Sequence, residues 1–275
     1  MARELFTLNP GIDRTSLGRQ FQRDGRVQVR DVLTQTAADE IHGILARATP
    51  WGMAWQAGSD GPNSVRAEQL KADPAGQQQS IAEATVEAAR KGDYAFQFAH
   101  YPILNAYLGE WDKGGPHDLL LEHINDEHFL GFIREVTGIP AICKGDAQAT
   151  LYAPGHFLSL HIDSHAAEGW RIAYVLSFCR EEWKPDWGGY LNFYDDDGDV
   201  VAGYRPRFNA LNLFAVPCPH SVTYVPPFAP IGRVAYTTAP CRRHRLLAQA
   251  RRFGTGQSRN QPVMANRPIG AKGGT

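Results

Sequence analysis

Two histidines and one aspartate are spaced as a mononuclear metal site requires. His161 and Asp163 are separated by one residue at the end of a predicted strand. Side chains two positions apart on a strand leave the same face, so both can reach one ion. This pair alone is weak, because a chain with 10 histidines and 29 acidic residues contains about one His-x-Asp by chance. His220, at the start of a later predicted strand, offers a third ligand.

Such a ligand set fits more than one metal. Two imidazoles and a carboxylate on one side of Fe(II) leave open positions opposite, as in non-haem oxygenases, and zinc would bind the same set. Arg233 bears on the choice, since a 2-oxo dicarboxylate chelating iron needs a fixed cation for its far carboxylate. A hydrolytic zinc site has no such requirement. Taken alone, however, an arginine is more often a surface cation than a ligand contact, so these residues leave both metals open.

Neighbouring polar residues are interpreted as structural. His156 is an odd number of positions from His161 and points to the other strand face, and His165 lies past the strand end. The run Asp195–Asp199 looks like a calcium loop but lacks the distal Glu of an EF-hand, so it fits a β-hairpin turn.

Short segments rich in β-branched and aromatic residues follow Pro140, with Gly, Pro and Asp between them. They predict a double-sheet β architecture of the jelly-roll type, preceded by helices that pack on one sheet. The eight strands are Asp146–Tyr152, Phe157–His161, Arg171–Phe178, Tyr190–Tyr194, Val200–Tyr204, Ala210–Val216, Ser221–Val225 and Arg233–Thr238.

The first half of the chain is predicted to be mainly helical. Arg26–Val32 alternates as a strand does, and Thr34 or Thr36 then caps a helix. Asn63–Arg90 is interpreted as loop plus a surface helix, with a break at Pro74. From Tyr94 to Gly138 the apolar positions recur at helical intervals, and Asn125 is placed to cap the last helix.

The order of the motifs in the second half resembles a known family. The runs are Tyr152-Ala-Pro-Gly-His-Phe-Leu-Ser-Leu-His161-Ile-Asp163, Arg171-Ile-Ala-Tyr-Val-Leu, Trp187-Gly-Gly-Tyr-Leu-Asn-Phe-Tyr194, Arg207-Phe-Asn-Ala-Leu-Asn-Leu-Phe214, His220-Ser-Val and Arg233. Together they are similar to the prolyl 4-hydroxylase-like branch of the 2-oxoglutarate and Fe(II)-dependent oxygenases, most of all to its ribosomal-protein and termination-associated members. The similarity covers about residues 145–240.

The resemblance implies an α+β fold with a double-stranded β-helix core, the cupin-like jelly roll. It implies Fe(II) held by His161, Asp163 and His220, with Arg233 on the far carboxylate of 2-oxoglutarate and O2 as the other cosubstrate. Ascorbate is expected as a reductant. Tyr152 matches a tyrosine that donates to the cosubstrate in this family. Where relatives carry a second such tyrosine this chain has Ser177, which is expected to take its place.

Charge divides the chain unevenly. All 29 acidic residues precede Val200, whereas 11 of the 28 basic residues follow it. We expect a helical support region over residues 1–140, a catalytic core over 141–241 and a basic, disordered tail over 242–275. A nucleic-acid or ribosome contact through this tail is an open alternative.

The sequence also bears on the cellular location of the protein. No apolar run approaches a membrane span, no secretory signal is seen, and the four cysteines form no CxxC pair. A cytoplasmic enzyme without a membrane partner is therefore expected.

Three functions are compatible with these residues. The first is hydroxylation of a prolyl residue in a protein or peptide, with decarboxylation of 2-oxoglutarate to succinate and CO2. The second is hydroxylation of a free amino acid or natural-product intermediate, and the third is an inactive β-helix binding module. Substrate contacts are expected from Ser164–Trp170, Arg180–Trp187, Trp51 and Trp55, whose aromatics stack on a ligand or pack against the edge of the fold.

Overall fold

The computed structural model describes residues 5–163, 171–229, 233–238 and 240–241. The helices in these ranges are α1 (Arg14–Asp24), α2 (Gln35–Arg47), α3 (Ala67–Leu70), α4 (Pro74–Arg90), α5 (Ile103–Leu108), α6 (Pro116–Ile124) and α7 (Glu127–Thr137). The strands are β1 (Arg26–Arg30), β2 (Gly52–Ala57), β3 (Asp60–Val65), β4 (Ala95–Tyr101), β5 (Lys144–Gly145), β6 (Gln148–Tyr152), β7 (Phe157–Ile162), β8 (Ile172–Ser177), β9 (Leu191–Tyr194), β10 (Val200–Tyr204), β11 (Ala210–Ala215), β12 (Pro219–Val222), β13 (Arg233–Thr238) and β14 (Pro240–Cys241).

Most strands join one antiparallel sheet that curls on itself. Its path runs β1-β11-β8-β13-β6-β4-β7-β12-β9-β10, and the β2–β3 hairpin is attached to β4. The curl brings β9 and β11 face to face, since the rings of Phe193 and Phe214 have centroids 5.1 Å apart. The result is the predicted double-stranded β-helix.

The helices cover the outer face of the sheet. The largest apolar cluster joins buried residues of α2, α6 and α7 to β1, β8 and β11, including Ile41, Phe132, Val29, Leu176 and Leu213. Alternate residues of β8 and β11 point inward instead, so Val175 and Phe214 belong to a separate cluster inside the curled sheet. The predicted packing of a helical N-terminal half on one sheet is therefore confirmed.

All eight strands predicted after Pro140 are present. Val200–Tyr204 and Arg233–Thr238 have the predicted bounds, and the others differ by a few residues at an end. Thr34 caps α2, its hydroxyl accepting from Ala37 N. The Asp195–Asp199 run is a hairpin turn between β9 and β10, where the Asp195 carboxylate accepts from the backbone of Asp197 and Asp199.

Two expectations for the first half were wrong, and one hairpin was not anticipated. Ala95–Tyr101 is a strand rather than part of a helix, and every residue in it is buried. A strand covered on both faces loses its alternation and gives a continuous apolar run. Gly52–Val65 is a hairpin that the sequence pattern did not indicate. Finally, Asp126 caps α7, while Asn125 ends α6 and donates to the carbonyl of Gly145.

Several histidines are buried in uncharged form. Burial lowers the pKa of His100 to about 4, against a hydrogen bond from Gln148 that raises it. Burial likewise lowers the pKa of His117 to about 4. Neither Nδ1 atom has a hydrogen-bond partner among the described residues, whereas His117 Nε2 lies 3.2 Å from the Thr49 hydroxyl. These imidazoles therefore resist protonation in the folded state.

The metal-free protein should lose stability on mild acidification. Between pH 6.5 and about 5 the unfolded chain protonates these histidines and the folded protein does not, so the free energy of unfolding falls as the pH drops. Each such histidine contributes up to about 1.4 kcal/mol per pH unit. Urea unfolding at several pH values measures the slope, and His117→Gln should make it shallower. A free energy of unfolding that stays constant over this range would contradict the expectation.

Candidate metal centre

The two candidate histidines lie directly opposite each other on paired strands. His161 of β7 pairs with His220 of β12, and their ring centroids are 4.1 Å apart. Their side chains are only 3% and 6% exposed. This register brings the two predicted ligands, which are distant in sequence, next to each other.

Backbone carbonyls fix both rings. His161 Nδ1 lies 2.9 Å from the carbonyl of Ser159, and His220 Nδ1 lies 2.9 Å from the carbonyl of Cys218. Since a carbonyl only accepts, each Nδ1 carries the proton and each Nε2 presents a lone pair. Both Nε2 atoms face Asp163, at 3.6 Å from Oδ1 and 3.7 Å from Oδ2.

These atoms are arranged to share a metal ion. One ligand atom from each of the three side chains lies within 4.8 Å of the others. The separations exceed hydrogen-bond length, which leaves room for an ion between them. Burial, followed by the charge of His220, lowers the pKa of His161 to about 4 against the opposing effect of Asp163. His161 is therefore neutral at physiological pH, the form that can bind a metal.

Aromatic side chains close the site from the inside of the sheet. The Phe214 ring centroid lies 4.8 Å from that of His220, and Phe193 is the cross-strand partner of His220. On the other side, the Tyr94 ring lies 6.2 Å from that of His161. Burial, then the charge of Asp163, raises the pKa of Tyr94. Bulk water is thereby kept from the histidine side of the site.

Tyr94 was missed by the sequence reasoning. It precedes β4, and its ring begins a row continued by Phe96 and Phe98, with centroid separations of 5.8 and 5.4 Å. The alternation Tyr94-x-Phe96-x-Phe98 has the period of a strand and was the available signal.

The predicted cosubstrate residues lie on adjacent strands of the same sheet. Tyr152 ends β6, where its backbone pairs with Arg233 at the start of β13, and it is 3% exposed. Ser177 ends β8 and pairs with Ala235 of β13. It is 1% exposed, and its hydroxyl has no hydrogen-bond partner among the described residues. An unsatisfied buried hydroxyl at this place fits a polar ligand that completes it. The Arg233 side chain lies outside the described structure.

The other predicted contacts have different positions. His156 Nδ1 accepts from Ala153 N in the β6–β7 turn, as its structural interpretation requires. Trp51 and Trp55 pack against clusters on the outside of β2 and β4. Trp183 is buried and donates to the Gly188 carbonyl, whereas Trp187 packs against the cluster that contains Tyr94 and Tyr152. The segment Ser164–Trp170, with His165, lies outside the described residues.

The fold and this centre define a class of protein, the double-stranded β-helix enzymes with a facial two-histidine, one-carboxylate triad. Residues 147–238 match the family model described as the 2OG-Fe(II) oxygenase superfamily. Residues 147–238 are thus similar to an oxygenase domain of that superfamily, and this match supports a dioxygenase. The matched family implies Fe(II) as cofactor and 2-oxoglutarate and O2 as cosubstrates, and the donor set described above fits Fe(II).

Solved structures share the fold at low sequence identity. A 2OG-Fe(II) oxygenase-family oxidoreductase from Burkholderia pseudomallei has a TM-score of 0.54 at 14% identity, covering 86% of this chain and 94% of its own. A Pseudomonas putida prolyl-4-hydroxylase has a TM-score of 0.52 at 16% identity, covering 86% and 95%. The α-ketoglutarate-dependent epimerase SnoN from nogalamycin biosynthesis has a TM-score of 0.51 at 12% identity, covering 93% and 95%. No curated protein matches the chain.

Membrane association through a spanning helix finds no support in the described chain, where no helix combines the necessary length and apolar character.

Removing the carboxylate should disable the centre. We expect Asp163→Ala to weaken Mn²⁺ binding by at least about 100-fold, because it deletes the only charged ligand. Titration calorimetry of the metal-free protein measures the affinity, with Mn²⁺ standing in for oxygen-sensitive Fe²⁺. Asp186→Ala changes an exposed aspartate elsewhere and should bind as the unaltered protein does. Equal affinities of the two variants would show that the ion binds elsewhere.

Proposed function

We propose that the enzyme hydroxylates a prolyl residue of a protein or peptide, using His161, Asp163 and His220 to hold Fe(II). The observation that carries the iron site is the convergence of two carbonyl-oriented Nε2 atoms and one carboxylate inside a family-matched domain. The prolyl preference rests on the order of motifs over residues 145–240 and on the fold shared with a prolyl-4-hydroxylase. A small-molecule substrate is the second candidate, since the shared fold extends to a natural-product epimerase.

Fe(II) with 2-oxoglutarate would supply the oxidising chemistry, in which one oxygen atom of O2 enters a C–H bond and the other enters succinate as CO2 leaves. The residues of the chain position and shield this reaction. The Ser159 and Cys218 carbonyls hold the two imidazoles in one tautomer. Tyr94, Phe193 and Phe214 keep the ligand atoms away from bulk water.

For the cosubstrate we assign Arg233, Tyr152 and Ser177 to the far carboxylate of 2-oxoglutarate. Three adjacent strands, β6, β13 and β8, carry these residues near one end. An arginine offers two parallel N–H donors to a carboxylate, which a lysine does not. The partnerless Ser177 hydroxyl supplies a further donor where related enzymes use a tyrosine.

The division of the chain at residues 140 and 241 remains a prediction. The same holds for the basic tail over 242–275, which lies outside the described residues, and for a cytoplasmic location and the use of ascorbate.

Loss of the arginine should raise the 2-oxoglutarate requirement. We expect Arg233→Ala to weaken 2-oxoglutarate binding by tens- to thousands-fold, equivalent to about 2–4 kcal/mol for an unpaired carboxylate. Ser177→Ala should weaken it by about 5- to 30-fold, the loss of one hydrogen bond to a charged group. Anaerobic titration of the visible chelate band of the Fe(II) protein measures both. Arg171→Ala, at an exposed position, is the control. If Arg233→Ala binds 2-oxoglutarate as tightly as Arg171→Ala does, another residue binds the far carboxylate.

The substrate class can be read from the products. Peptides from cells with and without the gene should differ by one oxygen on a proline, and the same mass shift should appear when the purified enzyme acts on the unmodified peptide. Asp163→Ala enzyme is the matched negative control. If the oxygen appears only on a small metabolite, or on residues other than proline, the prolyl assignment fails while the oxygenase assignment stands.

A further inference from the structure

The two ends of the sheet path approach each other without pairing. Among the described strands β1 pairs only with β11, and β10 pairs only with β9. The Arg26 guanidinium of β1 nevertheless lies 5.4 Å from the ring centre of Phe193 on β9. Burial raises the pKa of Tyr204 on β10, and the nearby charge of Arg26 opposes that rise. Two strand edges therefore face each other across a space that we call the seam.

Arginines dominate the seam. Arg26, Gln28 and Arg30 are alternate residues of β1 and share one face. Gln28 accepts from Arg207 Nε at 3.0 Å, which joins the β1 face to the loop before β11. Partial burial, then the nearby charges of Arg30 and Arg205, lowers the pKa of Arg207.

Among the described residues, no ion pair involves Arg30, Arg205 or Arg207. The Asp24 carboxylate is paired with Arg23 and also attracts Arg26, whose guanidinium donates to the Asp24 carbonyl. Arg30, Arg205 and Arg207 repel one another, since burial and then the charges of the first two lower the pKa of Arg207. An anionic ligand would relieve that repulsion.

The seam leads to the metal centre. Phe193, over which Arg26 lies, is the cross-strand partner of His220. Phe214, the cross-strand partner of Arg26, has its ring 4.8 Å from that of His220. One end of a ligand bound in the seam would therefore lie next to His220. The part of the same molecule that reacts would lie there.

The rest of the seam fits an extended polypeptide better than a nucleic acid. Val200 and Val201 on β10 are 55% and 48% exposed, and apolar side chains at an open strand edge suit an added peptide strand. The seam presents no exposed aromatic row on which bases would stack; this holds for the described residues.

We infer that the seam between β1 and β10 binds an acidic, extended segment of the substrate polypeptide, adjacent to the residue that is hydroxylated. The link to hydroxylation rests on the proposed function. Binding of the segment itself can be tested without turnover. Carboxylates of the segment pair with Arg26, Arg30 and Arg205, while its backbone lies along the two strand edges.

The test uses the full-length holoenzyme and fluorescein-labelled peptides in which a central proline is flanked by glutamates or by glutamines. Fluorescence anisotropy at low salt should give at least about tenfold tighter binding of the glutamate peptide, and salt should reduce the difference. Arg30→Glu reverses the charge at an exposed position and should weaken binding of the glutamate peptide by about 5- to 20-fold. Lys71→Glu makes the same charge change just after α3 and should bind within about twofold of the unaltered protein.

Three outcomes would overturn the inference. The two peptides could bind equally, Arg30→Glu could bind like Lys71→Glu, or a single-stranded oligonucleotide of matched charge could bind more tightly than the glutamate peptide. Unchanged thermal unfolding of Arg30→Glu guards against a folding artefact, and Arg205→Gln repeats the test should Arg30→Glu not fold. Because anisotropy reports binding alone, a positive result with no oxygen transfer to proline would reject the prolyl assignment and keep the seam.

Discussion

His161 and His220 have to lie side by side inside the protein with both Nε2 atoms turned toward Asp163, and the rest of the structure serves that requirement. Their ring centroids are 4.1 Å apart, so two imidazolium ions there would repel strongly in a desolvated setting. Burial lowers the pKa of His161, and two backbone carbonyls select the tautomer that turns both Nε2 atoms toward Asp163. The ligand set is therefore in its metal-binding state before a metal arrives, which limits the reorganisation that binding requires.

The curled sheet follows from this need. β7 and β12 must pair to place the histidines, and the opposite layer must supply apolar side chains that cover them. The strand β4 links the layers by pairing with both β6 and β7. Its inward residues Phe96 and Phe98 continue the row from Tyr94 toward Tyr152, with the Phe98 and Tyr152 ring centroids 5.1 Å apart. A strand contributed by the helical half thus lines the space between the metal ligands and the proposed cosubstrate residues.

The sequence predicted strands where turn residues and strand composition both marked them, and it predicted site residues where the side-chain type suits a metal. Half-buried strands such as Val200–Tyr204 keep their turn residues and composition, so their bounds could be read, and His161, Asp163 and His220 were identifiable by ligand type. It failed for Ala95–Tyr101, because burial on both faces left only the alternating aromatics Tyr94, Phe96 and Phe98 to separate strand from helix. Tyr94 then could not be placed beside His161, since its position depends on which strand lies next to β7. No local pattern encodes that long-range pairing.

The fold brings together arginines from two distant parts of the sequence. Arg205 and Arg207 come from the part of the chain without acidic residues, yet Arg26 and Arg30 come from a segment flanked by acids on both sides. Only the pairing of β1 with β11 brings the two sets together, at the place where the sheet stays open. Gln28 contributes neutral hydrogen bonds to Asn212 and Arg207, which hold the arginine cluster in place without reducing its charge. An unneutralised cluster of this kind lowers stability in the free protein, so its presence beside the metal centre is best explained by a negatively charged ligand that shares the same opening.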